Sequence, residues 1–256
     1  MAGLHPTQRR ERILIMGPPG GGKSTAWLSV AEWLEKTKAD GRLFVADTDL
    51  AWEGQRPFDG HLDKRVVQED INDFPSLVAF VDKATADYQP GDFLITDMID
   101  KAWLYAQQHY YEEVFGKELD DFFMEAKKNN ANPGGEWGSN WTVINKLHQK
   151  FMLKLQRYPG HVIACTPCTD VRQVDATGKG QSDSREVLHL FGKLGVKPQG
   201  QKDLAYNFHT VLLFQSVPRV GYTFSTAKDR SREEAEGEKM TDFTRTYLMK
   251  YAGWTV

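Results

Sequence analysis

The order of apolar and amphipathic segments predicts an α/β fold, with a mainly parallel central sheet flanked by helices and an antiparallel C-terminal β extension. Three observations carry that expectation. Short apolar runs alternate with longer amphipathic ones from Ile13 to about Thr166. The first apolar run passes through the glycine-rich segment Gly17, Pro18, Pro19, Gly20, Gly21 and Gly22 directly into a helical pattern. Beyond Gly200 the pattern becomes β-rich.

Taken in order, strands are expected at 13–16, 43–47, 93–97 and 161–166, with a minor one at 65–68. Helices are expected at 23–36, 74–88, 101–127 and 141–158. The run Asn129, Asn130, Ala131, Asn132, Pro133, Gly134, Gly135 reads as an exposed loop between two helices. From 166 to about 200, scattered charges and glycines predict a long loop of the kind that is functional or disordered. Segments 210–214 and 221–226 then read as an antiparallel pair, and 243–247 as a closing strand-like run. The chain is expected to form a single domain over 1–256. Its parts are a nucleotide-binding core at 11–166, a loop at 167–200 and a β-rich part at 205–256.

Bulk properties narrow the class. The 256 residues, 40% hydrophobic and 26% charged, suit one globular α/β unit that buries a full core. The net charge of −3 argues against a wholly basic nucleic-acid binder but leaves room for a local basic groove. No apolar run approaches the roughly 20 residues that a membrane helix needs. The apolar stretch after Arg9, Arg10 and Arg12 is too short for a signal peptide, so a cytoplasmic location is expected and no membrane partner.

Gly17 to Ser24 fits the pattern G-x-x-x-x-G-K-[ST] at every fixed position, between a strand and a helix. Glycines let backbone N–H groups converge on a phosphate, and the helix start adds its own unpaired N–H groups and dipole. Gly17, Pro18, Pro19, Gly20, Gly21, Gly22, Lys23, Ser24 and Thr25 are therefore the candidate nucleotide-binding residues. Lys23 would reach the β- and γ-phosphates of ATP, and the Ser24 hydroxyl would bind Mg²⁺.

The apolar strand at 93–97 ends in Asp97, the second expected Mg²⁺ ligand, with Asp100 a weaker substitute. The strand at 43–47 also ends in acids. Asp47 belongs to the strand itself, so Asp49 is the better candidate for the base that orients a water at the γ-phosphate. Met98 stands where some ATPases carry a glutamate beside the Mg²⁺-binding aspartate, which moves water activation to Asp49. Cys165 and Cys168 are spaced C-x-x-C. With no clear helix after Pro167 and only His161 nearby as a further ligand, they read as small residues at a buried strand end.

On these residues the chain resembles the RecA/RadA-like ATPases, in particular small phage-encoded ATPases that work with single-strand annealing. The resemblance spans about 11–232 and includes the loop at Gly17 to Ser24, Asp49, Asp97, Thr166, and Lys228 and Arg230 in a late Lys-x-Arg element. The segment 195–202 also looks like those proteins. The resemblance implies Mg²⁺-dependent ATP hydrolysis on single-stranded DNA in recombination, annealing or replication, within the host cytoplasm. It places Thr166 among the nucleotide-binding residues. It further implies a ring or filament in which Lys228 and Arg230 complete the neighbouring subunit's site, and a single-strand-binding or annealing partner. The loop after the fourth strand would contact DNA, with Arg172, Lys179 and Arg185 as candidates. Among the departures, the family acid is commonly glutamate where this chain has Asp49, and the 129–135 insert does not map onto the family pattern.

Two other readings stay open. The Gly17–Pro18–Pro19–Gly20 run also resembles adenylate kinases, but no compact arginine-rich lid follows. A DNA-binding scaffold in which ATP only controls assembly is compatible with the shorter Asp49. A GTPase switch is disfavoured, because Thr37, Lys38, Ala39 and Asp40 match its base-reading letters at the end of the first helix rather than on a late loop.

Overall fold

A computed structural model of the chain describes residues 9–129, 137–172, 182–230 and 234–254. The elements, in order, are β1 (Arg12–Met16), α1 (Lys23–Thr37), β2 (Leu43–Asp47), α2 (Ala51–Gln55), β3 (Val66–Asp70), α3 (Phe74–Ala86) and β4 (Phe93–Asp97). They continue with α4 (Asp100–Phe115), α5 (Leu119–Lys128), α6 (Trp137–Arg157), β5 (His161–Thr166), β6 (Cys168–Asp170), α7 (Arg185–Phe191) and β7 (Val196–Pro198). The strands β8 (Thr210–Val217), β9 (Gly221–Asp229) and β10 (Glu238–Lys239) complete the sheet.

An eight-stranded sheet has the order β10-β9-β8-β1-β5-β4-β2-β3. From β8 to β3 all pairs are parallel, and β9 and β10 are added antiparallel. The expected mainly parallel sheet with an antiparallel C-terminal extension is thus what the chain forms. Parallel inner strands are covered on both faces and so read as continuous apolar runs. Alternate residues then enter opposite cores. Leu14, Phe44, Leu94, Val162 and Val211 face the layer of α3, α4 and α6. Ile13, Val45, Ile95, Ile163 and Leu212 face the layer of α1 and the C-terminal segment.

Register matters most for function. Asp47 pairs with Asp97, Asp97 with Cys165, and Met16 with Thr166. The carboxyl ends of β1, β2, β4 and β5 therefore finish level, and the loops leaving them meet at one edge. In open α/β sheets this is the edge where ligands bind.

The opposite edge is held by Arg12. Its buried guanidinium donates to the carbonyls of Gly160 (2.7 Å), Glu11 (2.7 Å) and Gln156 (3.0 Å), and to that of Tyr158. Several of these carbonyls belong to the end of α6 and the turn into β5, where a cation satisfies acceptors that the helix leaves unpaired. Burial and the Arg10 charge lower its pKa to about 10, so it stays protonated at neutral pH.

Three expected elements differ. The helix expected over 101–127 breaks into α4 and α5 at Gly116, which takes φ 62° and donates its N–H to Glu112 O. A glycine in that conformation is a helix stop. The long loop after β5 contains β6, α7 and β7, with β6 and β7 paired antiparallel. The strand-like 243–247 run is instead part of a helical turn, Thr244–Met249. Phe243 stacks on Tyr247 (5.5 Å), and Tyr247 on Tyr251 (6.0 Å), a four-residue spacing that suits a helix and not a strand. Among the described residues no helix is long and apolar enough to cross a membrane.

Replacing Arg12 with Ala leaves a cluster of buried carbonyls unpaired. Chemical denaturation of Arg12→Ala should show a loss of about 2–4 kcal/mol, the scale expected when charge-assisted buried bonds are removed. A change under about 0.5 kcal/mol would mean that water satisfies those carbonyls equally well.

Candidate functional site

The loop after β1 is shaped by close approach. Gly17 N donates to Thr166 O (3.2 Å), and a Cβ on Gly17 would lie 2.4 Å from the Phe214 carbonyl oxygen. Only glycine lets the chain cross between the ends of β5 and β8. Gly22 turns the chain into α1 at φ 90°, with the Tyr222 ring against it. The buried Lys23 Nζ donates to Gly17 O and Pro18 O, both at 3.1 Å, inside the curve of the loop. A cavity of about 320 Å³ opens here, lined by residues 19–24 with Asp49, Met98 and Pro167.

The acids around it have separate roles. Asp47 is buried, and its carboxylate accepts from the backbone N–H groups of Trp52 (2.8 Å), Ala51 (3.1 Å) and Asp49 (3.3 Å). It holds the start of α2 and so places Asp49 at the cavity rim. Asp49 is exposed on its outer side. Its partial burial, with the charges of Asp97 and Asp47 behind it, raises its pKa to about 6.

Asp97 has no exposed surface. Its Oδ2 accepts from the Trp27 indole N–H at 2.8 Å. Its Oδ1 is buried with no hydrogen-bond partner. Burial raises the Asp97 pKa, and the Trp27 N–H and the Ser24 hydroxyl oppose that shift. The peptide bond that follows, Asp97–Met98, is cis. Thr48 ties it to the β2 loop: its hydroxyl accepts from Met98 N (2.7 Å) and its own N–H donates to Asp97 O (2.6 Å). Asp100 opens α4 with a buried Oδ1 that also has no partner. Burial raises its pKa as well.

These residues fit a hard divalent cation. Magnesium takes oxygen ligands, usually one or two protein groups together with phosphate and water. A buried carboxylate oxygen without a partner, beside a serine hydroxyl and a phosphate-type loop, is that donor set. Ser24 and Asp97 are the groups that would hold Mg²⁺.

The remaining expected site residues scatter. Thr166 is buried, and its hydroxyl donates to Gln199 O at 2.8 Å rather than into the cavity. Lys228 Nζ donates to Phe208 O (2.7 Å) and Ala205 O (2.9 Å), and burial with the nearby Arg230 charge lowers its pKa to about 8. Arg230 is exposed just beyond β9. Lys179 and part of the 129–135 loop lie outside the described residues.

Arg172 lines a second cavity of about 630 Å³, together with Lys197, Gln199, Lys202 and Tyr206. Arg185 is exposed at the start of α7. Phe191 is core, whereas Tyr206 is 43% exposed at the cavity. Cys165 is buried and Cys168 is half-buried; neither is in a disulfide. Among the described residues no cluster of metal-binding side chains forms around them.

Sequence reading missed Trp27 and Tyr206. Trp27 looks like any apolar helix residue until β4 is beside it. Tyr206 lies past the charged stretch, and only the turn at Leu204–Asn207 brings it to the cavity.

The Asp49 carboxyl should titrate near pH 6, ionising as pH rises through that value. Carboxyl-carbon NMR, with Asp49→Asn to assign the signal, measures this directly. A midpoint near the ordinary aspartate value of about 4 would show that neither burial nor the neighbouring acids act on it.

No family model matches this chain, and no curated protein does. Among solved structures it is similar to one described as "Crystal structure of the RadB recombinase", at 14% identity and a TM-score of 0.46, over 88% of this chain and 84% of that one. A likeness that remote carries no residue's role from one chain to the other.

Proposed function

We propose that this chain is a RecA-like ATPase that binds Mg²⁺ and ATP at the β1–α1 loop, hydrolyses the nucleotide, and acts on single-stranded DNA as a ring or filament. The observation that carries the reading is the convergence on one cavity of the phosphate-type loop, Lys23, Ser24 and Asp49, with the buried Asp97 carboxyl close to Ser24. Lys23 and the loop N–H groups hold the phosphates. Mg²⁺, when bound, neutralises charge on the β- and γ-phosphates. Asp49 stands at the rim with a pKa of about 6, which suits a base that accepts a proton from water near neutral pH.

The sheet geometry supports completion of the site by a neighbour. β9 runs antiparallel to β8, so Tyr222 lies at the phosphate edge while Asp229 pairs with Thr210 at the far edge. At about 3.3 Å per residue, Arg230 stands roughly 25 Å from its own phosphate loop. It can serve a γ-phosphate only in another subunit. Lys228 is engaged by Ala205 and Phe208 of its own chain, which leaves Arg230 as the principal candidate.

The 630 Å³ cavity supports the DNA reading, because Arg172 and Lys202 can meet phosphates while Tyr206 offers a ring for a base. Thr166 and Gln199 connect it to the phosphate loop.

ATP turnover measured with and without single-stranded oligonucleotide tests the whole reading. Lys23→Ala should abolish turnover, and near-parental activity would refute the phosphate site. Arg230→Ala should bind ATP normally but hydrolyse it about 10³–10⁵-fold more slowly, the range known for such arginines. Mixing it with Lys23→Ala should restore activity, since each subunit supplies what the other lacks. No recovery in mixed oligomers, or full activity in a monomer, would refute assembly. A phosphorylated nucleoside product would identify a kinase instead.

Changing Arg172 and Lys202 together to Ala should weaken oligonucleotide binding and lower its salt slope by about one to two. An unchanged slope would move the DNA track elsewhere.

A further inference from the structure

Ser24 and Trp27 are three residues apart on α1, so both face the end of β4. There they meet one carboxyl group, that of Asp97. Trp27 donates its indole N–H to Asp97 Oδ2 at 2.8 Å, Oδ1 remains without a hydrogen-bond partner, and the Ser24 hydroxyl lies near enough to the carboxyl group to lower its pKa. Trp27 has no exposed surface, and its ring packs at 6.1 Å on Trp52, whose own backbone N–H is held by Asp47. The indole is therefore fixed on both sides.

An indole N–H can only donate. It cannot act as a metal ligand, and it favours the ionised carboxylate over the protonated one. A buried carboxylate without such a partner is free to rotate about its last torsion, which is broad and two-fold. With Oδ2 committed to Trp27, Oδ1 is the oxygen left for a further ligand.

We propose that Trp27 is a positioning residue for divalent-cation binding: its indole N–H locks the Asp97 carboxylate so that Oδ1 and the Ser24 hydroxyl form a ready ligand pair for Mg²⁺. This rests on the reading of the β1–α1 loop as a nucleotide phosphate site. Outer hydrogen bonds of this kind orient metal ligands, and their loss typically costs about 10–100-fold in metal affinity or activity.

Trp27→Phe keeps an aromatic ring against Trp52 and removes the donor. Calorimetry of ADP binding, once with Mg²⁺ and once with EDTA, separates cation positioning from folding. The variant should bind ADP in EDTA within about twofold of the parent, and the gain in affinity that Mg²⁺ provides should fall about 10–100-fold. An undiminished Mg²⁺ gain in the folded variant would show that Trp27 is core packing alone.

A second measurement needs no variant. The Trp27 indole N–H resonance, assigned from its through-space contact with Trp52, should shift when Mg²⁺ and ADP are added together and not with ADP in EDTA. A resonance indifferent to Mg²⁺ would overturn the proposal even if Trp27→Phe does not fold. Failure of the parent to bind ADP under either condition would defeat the phosphate-site reading, and this proposal with it. Normal parental binding with an unchanged Mg²⁺ gain would defeat only the role of Trp27.

Discussion

Asp97 is a carboxylate with no exposed surface, and everything near the β1–α1 loop is arranged around the cost of keeping it there. A buried charge must be hydrogen-bonded or paired, or it takes up a proton. Trp27 and Ser24 come from α1, and the Lys23 ammonium lies close enough to favour the ionised form. All three are consecutive or near-consecutive with the glycine-rich loop. The helix that starts at Lys23 is thus anchored to β4 as well as to the strand before it. Asp47, in register with Asp97 on the adjacent strand, meets the same problem differently, by accepting backbone N–H groups at the start of α2. Two neighbouring buried acids are stabilised by separate partners, and Asp49 is left over at the rim to feel both.

The two edges of the sheet are built from opposite chemistry. At the carboxyl edge, acids converge and backbone N–H groups and donors answer them. At the far edge, Arg12 and Lys228 are buried or half-buried cations that satisfy carbonyls at the end of α6 and the start of β8. Neither cation reaches the β1–α1 loop. Arg12 ties β1 to the turn that enters β5, and Lys228 ties β9 to the segment that enters β8.

Thr166 joins the two cavities. Its carbonyl accepts from Gly17 N, and its hydroxyl donates to Gln199 O. Asp100 stands close by; a Cβ on Gly200 would lie 3.5 Å from it.

Much of this was legible in the residues themselves. The loop from Gly17 to Ser24, the acids ending β2 and β4, and the alternation of strands with helices are local patterns, and local patterns survive in one dimension. The long segment after β5 was readable only as a break, because short paired strands such as β6 and β7 carry too few residues to show a period. The closing helical turn was misread for the same reason: four-residue spacing of Phe243, Tyr247 and Tyr251 needs a longer window than five residues. What only the tertiary structure decided was which side chains meet. Trp27 and Asp97 are 70 positions apart, Thr166 and Gln199 are 33 apart, and Lys228 finds its carbonyls about 20 residues upstream. Such pairs depend on strand order and register, which are set by burial of both sheet faces at once and leave no mark on either segment alone.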